Sequence, residues 1–83
     1  MNFYELLKNG CCIRIEPGKF ENKNFDPAEF WLDEFSGELF SWAPGFGIIK
    51  RTDLTIIKFN KHIKKMISAG FKIIIAPVKT LSR

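Results

Sequence analysis

The spacing of apolar residues changes along the chain, and each change marks an element. Phe3, Leu6 and Leu7 recur at helical spacing behind Asn2, with Glu5 three residues after that cap and Gly10 placed to stop the turn, which predicts a short N-terminal helix. So short a helix does not persist alone and must pack against a sheet. From Cys11 to Glu16 the pattern becomes strict alternation: Cys11, Ile13 and Ile15 share one face and Cys12, Arg14 and Glu16 the other, as in a half-buried strand. Pro17-Gly18 then stands at the centre of a type II turn, proline fixing the first φ and glycine supplying the positive one, so a hairpin return through Phe20 is predicted. Asn22 to Asn24 reads as loop.

Two readings compete over the next stretch. A helix would use Asp26 as cap, Pro27 as its first residue and Gly37 as its stop. A hairpin would join Phe30 to Asp33 with Glu38 to Trp42 through Glu34-Phe35-Ser36-Gly37, with Gly37 left-handed and the Asp33 side chain bonding the turn amides. The hairpin is preferred because Glu38-Leu39-Phe40-Ser41-Trp42 is β-prone and begins directly after the glycine. Its register sets Asp33 opposite Glu38, Leu32 opposite Leu39, Trp31 opposite Phe40 and Glu29 opposite Trp42. Ala43 to Gly47 reads as a loop, whose isolated Gly-x-Gly is too common to imply a phosphate cradle.

Ile48 to Arg51 reads as a short strand, followed by a longer helix that Thr52 or Asp53 would cap and Gly70 would end. On that helix Ile56, Phe59, Ile63, Met66 and Ile67 gather on one side, with Lys58, Lys61, His62 and Lys65 on the other. Phe71 to Ala76 is dense in β-branched residues and stops at Pro77, a final strand before a short tail. Leu6, Gly10, Ile13, Ile15 and Pro17 repeat as Met66, Gly70, Ile73, Ile75 and Pro77 at an offset of sixty positions, a match that any helix-to-strand joint can produce. The whole, residues 1–83, is predicted to be one α+β domain with helices on one face of a mostly antiparallel sheet.

Composition then narrows the function. At 83 residues, with 46% hydrophobic and 27% charged residues, the chain has room for one core and resembles neither a disordered tail nor a membrane protein. The start lacks a basic segment followed by an apolar one, so no signal peptide is read, and a cytoplasmic location is expected. Cys11 and Cys12 are neighbours and are read as reduced thiols, since adjacent strand residues point to opposite faces. With His62 they supply three metal ligands at most, in no metal-binding spacing, so neither a metal nor another cofactor is expected. His62 is also the single histidine, and Asp33 and Glu34 point apart, which leaves no catalytic constellation. The reading is therefore of a non-enzyme.

Charge is strongly segregated. Between Glu16 and Glu38 seven acids face two lysines, whereas from Leu39 onward Asp53 alone faces nine basic residues, within a net charge of +4. Two candidate surfaces follow. The first is the outer face of the hairpin, where Trp31, Phe40 and Trp42 bordered by Glu29, Asp33 and Glu38 have the make-up of a protein-binding hot spot with an acidic rim. The bland alternative makes those rings part of the core. The second is the lysine face of the long helix, Lys58, Lys61, Lys64 and Lys65 flanked by Arg51, which can neutralise phosphates non-specifically, the alternative being an ordinary solvated face. Few aromatics interleave with it, so single-strand stacking is not indicated. Small size, absence of motifs and a Lys/Asn/Ile/Phe-rich composition favour an accessory or inhibitor protein of the phage or mobile-element type, docking a larger nucleic-acid-processing protein or nucleoprotein complex. Nucleic-acid binding through the lysine helix is the second reading. The pattern sets no oligomeric state.

Overall fold

The computed structural model describes residues 2–16 and 28–77. Helix α1 (Phe3–Lys8) starts as its capping pattern predicts, the Asn2 side chain accepting from the Glu5 amide at 3.3 Å, and ends at Gly10, whose φ of 87° is open to glycine. Strand β1 (Cys11–Glu16) follows, then β2 (Ala28–Leu32), β3 (Leu39–Ala43), β4 (Gly47–Lys50), helix α2 (Ile56–Ser68) and β5 (Lys72–Pro77). The strands form one antiparallel sheet in the order β4-β3-β2-β1-β5. This is the expected small α+β fold. The turn predicted at Pro17-Gly18 and the return through Phe20 lie outside the described residues.

The helical reading of the 26–37 stretch is overturned by the turn chemistry. Asp33 accepts on Oδ2 from the amides of Phe35 and Ser36, at 3.2 and 2.8 Å, and its own amide donates to the Glu38 carbonyl at 2.8 Å. Gly37 adopts φ 72°, and the register sets Leu32 opposite Leu39, Trp31 opposite Phe40 and Glu29 opposite Trp42, as predicted. Ala43 to Gly47 is not a loose loop. Pro44 and Gly45 are the central residues of a type II turn, with Gly45 at φ 82° and the Phe46 amide donating to the Ala43 carbonyl at 3.1 Å, and this turn joins β3 to β4 as a second hairpin.

Both helices lie on one face of the sheet. Phe3 and Leu7 of α1 and Phe59 and Ile63 of α2 pack with Ile13, Ile15, Phe30 and Leu39, and Leu32, Met66 and Ile73 close the margin. Phe59 is fully buried and meets Phe30 edge to face at 5.3 Å. The helices are tied by Asn60, whose Oδ1 accepts from the Tyr4 amide and whose Nδ2 donates to Asn2 Oδ1, both at 3.0 Å.

Three expectations about α2 need correction. Its cap is Thr55, which accepts from the Lys58 amide at 3.2 Å, and not Thr52 or Asp53, because Asp53 is held by Arg51 through two hydrogen bonds of 2.9 Å. Ile56 and Ile67 are exposed and do not belong to the buried stripe. His62 leaves the lysine face and lies half-buried with its ring edge-on to Phe30 at 6.1 Å. A position roughly 40 to 80° from the centre of a helix's inward face is toward its flank, and there the sheet decides whether the side chain is covered.

Candidate functional site

The outer face of the β2–β3 hairpin carries the residues expected to dock a partner, but most of them are used inside the molecule. Trp31 is only 9% exposed and stacks on the half-buried Phe40, so it is not an exposed anchor. Glu29 is buried beside Arg14, whose Nη1 lies 3.3 Å from Glu29 Oε1. Arg14 Nε stands equally close to Glu16 Oε1, near enough for an ion pair yet not aligned for a hydrogen bond. Asp33 is occupied by its turn amides, which hold its carboxyl below the usual range, the Ser36 amide foremost. Glu38 pairs with Lys50 Nζ at 2.7 Å. The expected acidic rim is therefore largely neutralised by internal partners.

The apolar surface continues instead onto β4, which the sequence pattern does not single out. Trp42 is half-buried and stands opposite Ile48, which is 59% exposed, and Phe46 at the turn is 71% exposed, while Ile49, opposite Ser41 on the other face, is 46% exposed. Every residue of β4 is exposed. Because the Arg51 amide donates to the Leu39 carbonyl at 2.8 Å and antiparallel pairs alternate, Gly47 and Ile49 turn their backbone groups toward β3. Ile48 and Lys50 then direct theirs to the open edge, where no strand pairs with them among the described residues. The signal that could have found this site is Pro44-Gly45, the same turn chemistry that predicts a hairpin at Pro17-Gly18.

The second candidate surface loses one member and keeps four. Arg51 is bound to Asp53, reaches Ser41 Oγ at 3.4 Å and lies over the Phe30 ring at 5.8 Å, so it braces the sheet and does not extend the lysine face. Asp53 is drawn down to a pKa of about 2, mainly by its hydrogen bond from Arg51. Lys58, Lys61, Lys64 and Lys65 are all exposed.

An open groove of about 1220 Å³ runs between the end of α1 and the 33–37 turn, and its described lining contains neither histidine nor cysteine. Cys11 and Cys12 point to opposite faces of β1, Cys11 half-buried and Cys12 buried. No three His, Cys, Asp or Glu residues stand together for a metal among the described residues, and no helix among them is long and apolar enough to cross a membrane. No protein-family model matches the chain, and neither a curated protein nor a solved structure does.

Proposed function

We propose that the protein is a small non-enzymatic accessory or inhibitor protein that docks a larger protein partner, and that it does so along β4. The observation that carries this reading is the coincidence of an open strand edge with exposed Phe46 and Ile48 and the half-buried Trp42 paired with Ile48, while Ile49 is exposed on the other face of the same strand. An extended apolar segment of the partner would add to this edge as a further strand. Its main-chain groups would pair with those of Ile48 and Lys50, and its side chains would cover Ile48 and Trp42. Lys50, the one charge on the edge, is held by Glu38, which weakens the usual protection of an edge strand against such pairing.

Capture by the intact chain from nuclease-treated extract of its source tests the reading, with Ile48→Arg as the comparison. The substitution lies on the surface and should alter stability by no more than about 0.5 kcal/mol. Partners retained by the natural sequence and lost with Ile48→Arg at an unchanged melting temperature support docking along β4. Equal capture by both chains, or partners that vanish with nuclease treatment, overturns it.

A further inference from the structure

Among the described residues, most charges outside the second helix have a partner, and the lysines of that helix have no ion-pair partner. Among the described residues Glu5 pairs with Lys8, Glu16 and Glu29 with Arg14, Glu38 with Lys50 and Asp53 with Arg51. Asp33 is taken up by its turn. Helix α2 contains no acid, and none of its four lysines enters an ion pair among the described residues. Their spacing concentrates the charge. Lys61 stands three residues from Lys58 and from Lys64 and four from Lys65, so three of its four helix-surface neighbours are like charges, the fourth being the exposed Ile57. With 1.5 Å of rise per residue, Lys58 and Lys65 are about 10 Å apart along the axis. These cations repel one another in the free protein, and a polyanion laid across them relieves that repulsion while releasing its own counterions.

We infer that the outer face of α2 binds the phosphate backbone of a nucleic-acid duplex, with Lys58, Lys61, Lys64 and Lys65 as the contacting groups. This surface is separate from the β4 edge and does not depend on it. The contact is to backbone and not to bases. Asn60, the polar residue of the helix best suited to read a base edge, is committed to Tyr4 and Asn2 on the inner side. Stacking on an unpaired base has no platform here, because the single Phe, Tyr or Trp of α2 is Phe59, which is fully buried. An anionic membrane fits less well, since Phe59 and Ile63 are locked in the core, while the exposed Ile56 and Ile67 lie on the flank of the helix and only Ile57 stands among the lysines, which leaves no continuous apolar stripe to insert.

Titration of the intact chain into a fluorescent DNA duplex of mixed sequence, over a series of salt concentrations, tests the inference. Four phosphate contacts predict that log K falls with log salt at a slope of about −3 to −4. Lys61→Glu with Lys65→Glu should reduce affinity at least tenfold at low salt, and Lys61→Arg with Lys65→Arg should preserve it. The charge reversals should leave the fold intact, because both positions are exposed and lie outside the core, and circular dichroism verifies it. Lys8→Glu with Lys72→Glu changes net charge equally elsewhere and should retain most of the affinity. Loss of binding in that control to the same extent, salt-independent binding, no binding at low salt, or stronger attachment to phosphatidylserine vesicles than to the duplex would each overturn the assignment.

Discussion

Trp31 lies over Phe40 across the β2–β3 pair, with ring centroids 6.3 Å apart and planes inclined by 18°. This stack, with Trp31 buried, makes the larger ring part of the framework and leaves docking to residues farther along the sheet. Trp31→Ala should therefore cost roughly 3 to 5 kcal/mol of stability, enough to unfold much of a domain this small. Trp42→Ala, at a half-buried position, should cost less. With Trp42→Phe removing the second indole, emission from Trp31 should be blue-shifted and shielded from quenchers. Red-shifted, accessible emission would return Trp31 to the docking surface.

Asn60 joins the two helices through both ends of its amide, and the Asn2 oxygen it binds also caps α1. Asn60→Ala leaves the Tyr4 amide without its partner, at a cost of about 1 to 3 kcal/mol. Asn60→Asp distinguishes the two bonds. Its carboxylate still accepts from Tyr4 but faces Asn2 Oδ1 with a second acceptor, so it should recover only part of the loss. Chemical denaturation of the two variants gives the comparison, and equal stability of both would assign the whole effect to the bond with Asn2.

Two hairpin glycines, Gly37 and Gly45, have positive φ with nothing within 4 Å of the place a Cβ would occupy. The penalty for a side chain there is conformational and not steric, about 1 to 2 kcal/mol for alanine in the left-handed region. Asparagine tolerates that region better, so Gly45→Asn should melt above Gly45→Ala. A similar loss for both would show that the Pro44-Gly45 turn does not govern the β3–β4 pairing.

How far these features are legible in the residues depends on their range. The alternation in Cys11 to Glu16 and the Asp33-to-Gly37 turn are local chemistry, and the pairing of Trp31 with Phe40 follows from that turn alone. Even the sixty-residue echo has a spatial counterpart. Arg14 stands opposite Ile74 on antiparallel β1 and β5, each strand entered from a helix through a positive-φ glycine, Gly10 or Gly70. Burial is harder to read. Whether Trp31 faces solvent, whether His62 belongs to the lysine side and whether Arg51 is a surface cation all depend on elements distant in sequence. The same holds for β4. Its pattern marks a strand, but only the sheet order shows that this strand stands at an edge, with Ile48 and Ile49 uncovered.

His62 gives the fold a dependence on pH that its position explains. Burial against the core lowers its pKa from the usual 6.5, and the nearby charges of Arg51 and Lys65 act in the same direction. In the unfolded chain the imidazole regains its ordinary value, so below that value the unfolded state binds more protons than the folded one. Stability from this group is therefore fully present above pH 6.5 and declines as pH falls through that value toward the lowered folded one. Asp53 acts in a separate window. Its folded pKa of about 2 against an unfolded 3.8 makes its contribution complete above 3.8 and lost as pH falls from there toward 2. Denaturant unfolding from about pH 8 down to about pH 5 should show a progressive loss, and His62→Gln should flatten the curve in that interval while Asp53→Asn leaves it unchanged. A slope that persists in His62→Gln would assign the proton uptake to another group and place the imidazole in solvent in the folded protein.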